Sequence, residues 1–506
     1  MGQRGRAGMT NLFFSYLLQG VGFIQGFVMI PLYIHYLGVA LYGYWIATIG
    51  IINSLSFMDL GLAQPIGQRI ASSMGRGDTE EASRYFWVGL SLFCGIGVLA
   101  WMAGWAASFW IPGMLKIPPT FAGAIIAAFL LAALALVLKI VNDFLRGFGM
   151  AILRPGLPVA ALAMGQLLGL GVSLFLLING FGVIGVSIGL VATEVFCLVM
   201  TGLYFARLHA RQPMFHALPA CGHYRSVLGF TPHVFVSQVS FRITQQIDAT
   251  VVTFFLGPSA AVIYAVHKKL AEFLGRLMYS IWGSALLPLS HLAGEKGASG
   301  IRDVTLTIFA AIFSLLVVLY ACYIVVDRPF VSWWISPASL APLWLVVAIA
   351  LARLADNALN VSAELHMAMG EINFMAHYLT FSSLLSLGLF AFLPRIFGMV
   401  GVPLATIAGS GSFAIFFMIA ARRNFGLLAI PPARLLAVLS GGAAILILST
   451  AAAAWTATRT PTVQWAFSGL FIAILGGSWL YLQWRQVRAF KHFSVQESVL
   501  SGPVAL

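Results

Sequence analysis

The sequence predicts an all-α, polytopic membrane protein with about 14 transmembrane helices: two pseudo-symmetric six-helix lobes plus two C-terminal helices. The first observation is composition: of the 506 residues, 60% are hydrophobic and 8% are charged, and the mean hydropathy is +0.95. The second is a succession of apolar runs, each as long as a membrane-crossing helix. The third is a weak internal repeat. Only short polar segments separate the runs, and none is long enough to form a soluble catalytic domain.

The apolar runs assign the helices in order along the chain. The predicted spans are 12–34, 44–66, 85–107, 121–145, 157–178, 183–206, 226–255, 260–289, 304–326, 338–362, 374–394, 400–421, 435–457 and 463–484. If the N-terminus lies inside, 18 of the 28 Lys and Arg residues fall in inside segments, 4 in outside loops and 6 within spans. Because short loops rich in positive charge stay on the cytoplasmic side of a membrane, both termini are predicted to be cytoplasmic.

Net charge and motifs exclude several classes of function. The formal net charge of +13 would suit a nucleic-acid-binding protein, but the cations lie mainly in short loops between apolar runs, so no nucleic-acid partner is predicted. The sequence contains no G-x-x-x-x-G-K-[ST] phosphate loop, no H-E-x-x-H and no C-x-x-C. ATP binding through that loop is therefore not expected, and no cofactor or metal is predicted. Three of the four cysteines lie in apolar spans, where packing is their expected role.

The internal repeat relates the two halves of the chain. YLGVALYGYW (Tyr36–Trp45) resembles FLGPSAAVIY (Phe255–Tyr264) at an offset of 219 residues, and FGVIGV (Phe181–Val186) matches FGMVGV (Phe397–Val402) at an offset of 216. Each offset spans an even number of helices, so the two copies share one orientation and are related by an axis along the membrane normal. The predicted domains are an N-terminal lobe at 1–206, a C-terminal lobe at 226–421, helices 13 and 14 at 435–484, and a cytoplasmic tail at 485–506.

Glycines at a spacing of four residues permit close packing of helices in a membrane. The pairs of this kind are Gly22/Gly26, Gly165/Gly169 and Gly185/Gly189. Because the chain contains 51 glycines, such pairs are weak predictors of where two helices meet.

Charged residues inside predicted spans mark a candidate cavity. A Lys, Arg or Asp near the middle of a spanning helix costs about 2.5–3.5 kcal/mol, so it is expected to face protein or a water-filled cavity. Lys268, Glu272 and Arg276 share one face of their helix. The preceding helix carries a second polar stripe, which consists of Gln238, Arg242 and Gln245. The two stripes are predicted to be walls of one cavity.

Two interpretations of these charges are open. In the first they form ion pairs along single helices, because spacings of three and four residues bring side chains together. The pairs at these spacings are Lys139/Asp143, Lys268/Glu272, Glu272/Arg276 and Arg353/Asp356. In the second they bind substrate: the spans of the C-terminal lobe carry five cations and three carboxylates, whereas those of the N-terminal lobe carry one cation and three carboxylates. A cationic wall suits pyrophosphate or acidic sugars, which Arg and Lys bind through charge-assisted hydrogen bonds.

The candidate site residues follow from the second interpretation. The predicted substrate-binding cations are Arg242, Lys268, Arg276, Arg353 and Lys139. Further polar residues of the cavity are Gln238, Gln245, Glu272 and Asn357. Asp248 and Glu194 have no cation three or four residues away along the chain. They are candidates for carrying a coupling proton or Na⁺, because burial allows a carboxylate to exchange protons in the physiological range.

Several short motifs resemble one family of membrane proteins. The pattern P-x-Y-x-x-x-L-G-x-x-x-Y-G-x-W (Pro31–Trp45) is followed by MDLGLAQPIGQRIA (Met58–Ala71) and by GRGD (Gly75–Asp78). The loops LRGFGMAILRP (Leu145–Pro155) and MAMGEINF (Met367–Phe374) add to the likeness. Together these segments resemble polysaccharide biosynthesis proteins, the O-antigen-type flippases of the multidrug/oligosaccharidyl-lipid/polysaccharide exporter superfamily. The resemblance covers nearly the whole chain.

The resemblance implies a fold, a substrate and a location. It implies two six-helix lobes that work by alternating access, in the bacterial cytoplasmic (inner) membrane. Its substrate would be an undecaprenyl-pyrophosphate-linked oligosaccharide, moved from the inner to the outer leaflet for O-antigen, lipopolysaccharide or exopolysaccharide assembly. Membrane lipids and a polysaccharide polymerase are the partners it implies. Lipid II flippases are relatives with functional cations early in their first helix, and the first predicted span here contains no Lys or Arg.

Two other classes of function remain as alternatives. A multidrug/ion antiporter of the same superfamily normally has an acidic cavity for cationic drugs, whereas the C-terminal lobe here has an excess of cations. A membrane enzyme of polysaccharide assembly usually has a sizeable outside loop for acceptor chemistry, and the longest predicted outside loop is about 14 residues. Both observations favour a transporter of an anionic substrate over these alternatives.

Overall fold

The chain is helical throughout the part that can be described. The computed structural model describes residues 3–55, 62–152, 154, 156–211, 217–228, 245–278, 302–368, 372–424 and 432–500. Within these ranges every regular element is an α-helix or a short 3₁₀ turn, which confirms the predicted all-α class. The predicted site residues Gln238 and Arg242 lie outside the described ranges.

Sixteen helices are numbered here in chain order through the described residues. They are α1 (Gln3–Leu55), α2 (Ala63–Gly75), α3 (Thr79–Ser108), α4 (Ile111–Met114), α5 (Pro119–Ala151), α6 (Gly156–Ile178), α7 (Gly182–Arg211), α8 (Cys221–Leu228), α9 (Asp248–Leu256), α10 (258–278), α11 (Arg302–Trp334), α12 (Leu343–Ala368), α13 (Ile372–Phe397), α14 (Gly401–Asn424), α15 (Pro432–Thr456) and α16 (Pro461–Leu500). Two 3₁₀ turns, Pro337–Ser339 and Gly398–Val400, precede α12 and α14.

The described helices are those of a polytopic membrane protein. Nine stretches within them are long and apolar enough to cross a membrane, and a shorter apolar helix covers Ser440–Thr456. Two of the nine, Gly20–Leu55 and His377–Ser412, each cover most of two predicted spans. Helix α10 is not among the nine because it carries four charged residues within 21 positions. The membrane class predicted from hydropathy is therefore confirmed.

Helix α1 bends within the loop predicted between the first two spans. Its backbone is not helical at Gly38 (φ 76°, ψ 160°), which lies between the spans predicted at 12–34 and 44–66. The described part of α1 runs to Leu55, and α2 begins at Ala63. Pro65 lies in the first turn of α2, where its missing N–H costs no hydrogen bond. Positions 56–61 of the predicted second span lie outside the described residues.

Glycines at matching positions of the two repeat copies have matching backbone conformations. Gly257, 219 residues after Gly38, has φ 88° and ψ 171°. Only glycine readily adopts this combination of angles. Gly182 and Gly398, which are 216 residues apart, have φ 57° and 60°. The internal repeat thus extends from sequence to local backbone geometry, and it places a break before the corresponding helix in each copy.

Helices α6 and α7 pack most closely where glycines face each other. A Cβ atom on Gly169 would lie 2.5 Å from the carbonyl oxygen of Gly189, and a Cβ on Gly189 would lie 2.5 Å from the carbonyl oxygen of Gly169. A Cβ on Gly165 would lie 2.9 Å from the carbonyl oxygen of Thr193. By contrast, a Cβ on Gly22 would meet no atom of the described residues within 4 Å. Two of the predicted small-residue pairs therefore mark this helix crossing.

The chain divides into two compact units. The first unit contains Met1–Ala265 and Ile372–Ala405, and the second contains Val266–Glu371 and Thr406–Leu506. In the first unit, α5, α6 and α7 pack together and α3 packs on α5. In the second unit, α11 is the central helix and contacts α12, α15 and α16; its Tyr320 and Tyr323 are buried. The predicted lobe boundaries at 206, 226, 421 and 435 remain a prediction.

Candidate functional site

Four cations and two carboxylates lie together in the second unit. The Lys268 Nζ is 3.0 Å from the Glu272 Oε1 on α10, and the Arg353 Nη2 is 3.1 Å from the Asp356 Oδ2 on α12. Both ion pairs have the spacing that the sequence predicted. We call the whole group the cation cluster, and its members are Lys268, Lys269, Glu272, Arg276, Arg353 and Asp356.

Glu272 is the centre of the cation cluster. Its carboxylate lies within electrostatic reach of all four cations, on α10 and on α12. Lys269, which the sequence analysis did not select, is one of these cations, so the cluster has more positive charge than was predicted for this helix face. Among the described residues of the cluster, four cations face two carboxylates, so this group carries more positive than negative charge.

Several members of the cluster are buried. The side chain of Lys268 is 9% exposed, that of Arg353 is 10% exposed and that of Asp356 is 3% exposed. Arg276 is exposed, and Glu272 and Lys269 are half-buried. Removing charged groups from water is costly unless they are paired. The two ion pairs lower that cost for Lys268 and Arg353, and Arg276 presents a guanidinium at the edge of the group.

Hydrogen bonds from neighbouring helices fix the position of the cluster. Asn357 Nδ2 donates to the Tyr320 hydroxyl at 2.9 Å and to the Arg353 carbonyl oxygen at 2.8 Å. The Tyr320 hydroxyl donates in turn to the Ala271 carbonyl oxygen at 3.4 Å. Ser410 donates its hydroxyl to Asp356 Oδ1 at 2.6 Å. Asn357, a predicted polar residue of the cavity, therefore links α12 to α10 through a tyrosine that the sequence did not single out.

A glycine allows α10 and α12 to approach each other beside the cluster. A Cβ atom on Gly275 would lie 3.0 Å from Asn357 Nδ2 and 3.2 Å from the Tyr320 hydroxyl. Such distances are shorter than almost all real Cβ contacts, so a larger residue here would displace the hydrogen-bonded pair. The polar stripe of α10 is therefore positioned by packing as well as by charge.

A second polar group lies in the first unit. Asp143 on α5 forms ion pairs with both Lys139 and Arg146. One residue earlier, Asn142 donates its Nδ2 to the Glu194 Oε2 at 2.8 Å and to the Glu194 carbonyl oxygen at 2.9 Å on α7. Lys139 and Glu194 were predicted as separate candidates, and the structure places them in one polar group. Lys139 is exposed, whereas Glu194 is buried.

Asp248 also belongs to the first unit. It is 3% exposed and begins α9, where its Oδ1 accepts the Ala249 N–H at 2.8 Å and its Oδ2 accepts the Tyr264 hydroxyl at 3.3 Å. Gln245 lies three residues earlier and is half-buried. Two hydrogen-bond donors therefore hold the Asp248 carboxylate in place at the start of this short helix.

An apolar cavity of about 540 Å³ lies in the first unit. Its lining comes from α1, α4, α9 and α13 and the adjoining residues, and no charged side chain contributes to it. The aromatic and methionine residues that line it are Trp110, Met114, Phe254, Phe255 and Phe390. Thr250 is a polar residue of the lining, and its hydroxyl donates to the Ala47 carbonyl oxygen, so the surface suits a hydrocarbon chain better than a sugar.

Comparison with known proteins gives a family and a fold. A family model described as "Polysaccharide biosynthesis protein" matches residues 9–291, and no curated protein matches the chain. The structure is similar to an inward-facing multidrug resistance MATE family transporter of the MOP superfamily (TM-score 0.63, 14% identity, covering 83% of this chain and 96% of that one). It is equally similar to the lipid II flippase MurJ in an inward closed conformation (TM-score 0.63, 14% identity, covering 94% and 99%).

A third solved structure shares the fold. It is a MOP superfamily transporter from Pyrococcus furiosus, described as having reverse polarity of its binding pocket (TM-score 0.58, 14% identity, covering 84% of this chain and 96% of that one). At this level of identity the three likenesses establish the fold, which is that of polytopic MOP-superfamily transporters.

Proposed function

Because the chain belongs to the polysaccharide biosynthesis protein family, we propose that it is a flippase for undecaprenyl-pyrophosphate-linked oligosaccharide. It moves this lipid from the inner to the outer leaflet of the bacterial cytoplasmic membrane by alternating access. The product serves the assembly of a cell-surface polysaccharide such as O-antigen, lipopolysaccharide or exopolysaccharide, where a polymerase receives it. The observation that carries the proposal is the cation cluster, in which four cations meet two carboxylates.

The chemistry of the cluster matches the headgroup of such a lipid. A pyrophosphate carries several negative charges and accepts charge-assisted hydrogen bonds from Arg and Lys. Lys268 supplies a compact charge beside Glu272, and Arg276 supplies an exposed guanidinium whose planar N–H groups fit phosphate oxygens. Lys269 and Arg353 add positive charge to the same group. We assign Lys268 and Arg276 to pyrophosphate binding, together with Arg242, which lies outside the described residues.

The remaining part of the lipid needs an apolar surface. The cavity of the first unit has about 540 Å³ and a lining without charged side chains. The cavity supports a substrate that is partly hydrocarbon, because a water-soluble sugar or an ion has no apolar group that could occupy it. The polar group around Lys139 and Glu194 supplies a separate charged surface on α5 and α7 in the same unit.

A multidrug/ion antiporter is the second candidate, and the buried carboxylates of the first unit favour it. Glu194 and Asp248 are both less than one-tenth exposed and are held by neutral donors, Asn142 and Tyr264. Groups of this kind suit the binding of a coupling ion. They are compatible with a flippase that is driven by an ion gradient, so they separate the two candidates less well than the charge of the cation cluster does.

A reconstitution experiment tests the proposed function. The full chain is placed in vesicles that contain an undecaprenyl-pyrophosphate-linked oligosaccharide, and the exposed glycan is measured with a membrane-impermeant glycosidase. We expect the glycan to change leaflet without any nucleotide when a proton or Na⁺ gradient is imposed, and to stop when an ionophore removes the gradient. Movement that requires ATP, or no movement in any gradient, would contradict the proposal.

The orientation in the membrane is a separate prediction. The bias of 18 inside to 4 outside cations predicts that reporters fused after Arg76 and after Arg488 face the cytoplasm. An alkaline phosphatase fusion at either position should be inactive, and a fluorescent protein fusion there should be bright. A reporter after Lys116, in a predicted outside loop, is the matched control and should give the opposite pattern. Active phosphatase after Arg76 or Arg488 would show that the orientation is wrong.

A further inference from the structure

A histidine and an aspartate form a fully buried pair next to the cation cluster. His267 on α10 directly precedes Lys268, and Asp327 lies near the end of α11. Their side chains are 0% and 1% exposed, and the His267 Nδ1 lies 2.6 Å from the Asp327 Oδ2. The two residues are 60 positions apart in the sequence, so the fold brings them together. None of the residues assigned to substrate or ion binding above belongs to this pair.

The other ring nitrogen of His267 has two neighbours of opposite character. The Ala341 N–H donates to Nε2 at 2.9 Å, whereas the Ser339 carbonyl oxygen lies 3.2 Å from the same nitrogen. A neutral imidazole with its proton on Nδ1 accepts from Ala341 and has nothing to give to Ser339. An imidazolium carries a proton on Nε2 and donates to Ser339, but it no longer accepts from Ala341. Each protonation state therefore has its own partner in the segment between α11 and α12.

The surroundings of the pair leave one acceptor incomplete. Within the described part of the chain, Asp327 Oδ1 is buried and has no hydrogen-bond partner. Most buried polar atoms have a hydrogen-bond partner. A carboxylate with only one bonded oxygen, next to an imidazole that can gain a proton, points to a pair with two protonation states.

Other titratable or charged groups border His267 on both helices. On α11, the Tyr323 hydroxyl donates to the His267 carbonyl oxygen at 3.1 Å, and Arg328 follows Asp327 in the chain. On α10, Lys268 follows His267 and pairs with Glu272. The segment that supplies Ser339 and Ala341 contains no titratable side chain from 335 to 342, and neither does the start of α12 up to Arg353. Helix α16 meets α11 here through the Ser468 hydroxyl, which donates to the Val325 carbonyl oxygen at 3.4 Å.

We propose that His267 and Asp327 form a proton-binding site whose occupancy moves the segment between α11 and α12 during transport. A proton from water binds the lone pair of His267 Nε2. Nε2 then loses its hydrogen bond from the Ala341 N–H, and the new N–H donates to the Ser339 carbonyl oxygen. The Ala341 N–H then lacks its acceptor, so the segment shifts. Release of the proton reverses each step. Because this segment joins the helices that carry Tyr320 and Arg353, its movement acts on the cation cluster. The transport half of this inference rests on the proposed function, whereas proton binding itself does not.

Proton binding is tested without any substrate. The full chain, labelled with ¹⁵N-histidine, is studied in lipid vesicles by solid-state NMR between about pH 5 and about pH 8, the range in which imidazoles titrate. The sequence has 10 histidines, and the His267 signals are assigned by their loss in His267→Gln. We expect a neutral ring with its proton on Nδ1 at high pH and a doubly protonated ring at low pH. Asp327→Asn should move this change to lower pH, because the carboxylate that stabilises the imidazolium is gone.

The proposal would be overturned if the His267 ring kept one protonation state over the whole pH range. It would also be overturned if Asp327→Asn did not move the pH at which the ring changes its protonation state. This readout distinguishes a proton site from a structural pair, since a structural pair holds one protonation state. The wild-type titration needs no variant to fold. Thermal unfolding of both variants establishes that the measured change is not caused by loss of structure.

The coupling is tested with the vesicle assay and undecaprenyl-pyrophosphate-linked oligosaccharide as the probe. In His267→Gln we expect an imposed proton gradient no longer to drive movement of the glycan, although the variant remains folded in the vesicles. His35→Gln, at an exposed position, is the matched control and should keep the gradient response. If His267→Gln keeps the full response, the pair does not couple transport. If the wild type moves no probe at all, the proposed function fails, and the NMR titration still decides on the proton site.

Discussion

Replacing Lys268 and Glu272 together, by Lys268→Met with Glu272→Gln, is expected to reduce glycan export strongly while the protein remains folded in the membrane. Each charge-assisted hydrogen bond to a phosphate contributes about 1.5–3 kcal/mol, so the loss of one cation weakens substrate binding about tenfold to a hundredfold. The assay compares precursor accumulation in the inner leaflet with the amount of protein in the membrane. We expect precursor to accumulate at normal protein abundance.

The double variant is chosen because neutralising Lys268 alone has two effects: it removes a charge that binds substrate, and it leaves the half-buried Glu272 carboxylate without its ion-pair partner. Lys268 and Glu272 form an ion pair at 3.0 Å, and the lysine side chain is 9% exposed. Breaking a buried pair by removing one partner costs about 3–5 kcal/mol, since it leaves a buried charge alone, whereas removing both charges is often neutral. Lys268→Arg keeps the charge and should retain more export than the double variant. Arg276→Gln, at an exposed position, should reduce export without a loss of stability.

The matched control for this experiment is another pair with the same spacing. Arg84 and Glu80 are four residues apart and lie on the surface, with an Nη2–Oε2 distance of 3.3 Å. Exposed pairs contribute little to stability. Arg84→Met with Glu80→Gln should therefore leave both abundance and export unchanged. Wild-type export by the Lys268/Glu272 double variant would show that this pair has a structural role alone, and the assignment of the cluster to pyrophosphate would be wrong.

Local spacing predicted the ion pairs of the site because both partners lie on one helix. Lys268/Glu272, Arg353/Asp356 and Lys139/Asp143 all form as the helical period indicates. The same reasoning does not reach pairs between helices. His267 pairs with Asp327, which lies just beyond the span predicted at 304–326, and nothing in a single sequence shows that positions 60 apart meet. Contacts of this kind depend on how the helices are packed.

The repeat was the most informative long-range signal in the sequence. Gly38/Gly257 and Gly182/Gly398 lie at matching positions of the two copies, and all four have a positive φ, which glycine adopts without strain. The prediction did not find that helix continues through positions 35–43, because hydropathy does not register backbone geometry. The backbone shows that the interruption there is confined to Gly38.

Small-residue pairs show why a motif alone does not locate a helix contact. Gly165/Gly169 and Gly22/Gly26 have the same spacing, yet a Cβ on Gly169 would meet the backbone of α7, whereas a Cβ on Gly22 would meet no atom of the described part of the chain within 4 Å. The motif permits a close approach, but the partner helix must supply a surface that fits. For α6 that partner is α7, whose Gly189 occupies the facing position.

Gly169→Ala is expected to cause a large loss of folded protein, whereas Gly171→Ala on the same helix is expected to be neutral or stabilising. A Cβ on Gly169 would lie 2.5 Å from the Gly189 carbonyl oxygen, which is backbone and cannot turn away. Forcing an extra carbon into a packed contact costs about 1–3 kcal/mol, and more when backbone must move.

At Gly171 a Cβ would meet nothing within 4 Å, so only the gain in helix propensity, about 1 kcal/mol, remains. The measurement is the midpoint of thermal unfolding in detergent, together with the monodisperse fraction of purified protein. Gly189→Ala, which places the same clash on α7, should reproduce the loss seen for Gly169→Ala. The Thr193 side chain would also meet a Cβ on Gly169, so Thr193→Ala should rescue Gly169→Ala only in part, because the contact with the Gly189 carbonyl oxygen remains. Equal midpoints for Gly169→Ala and Gly171→Ala would show that α6 and α7 do not depend on this crossing, and the close approach of the two helices would then have no stabilising role.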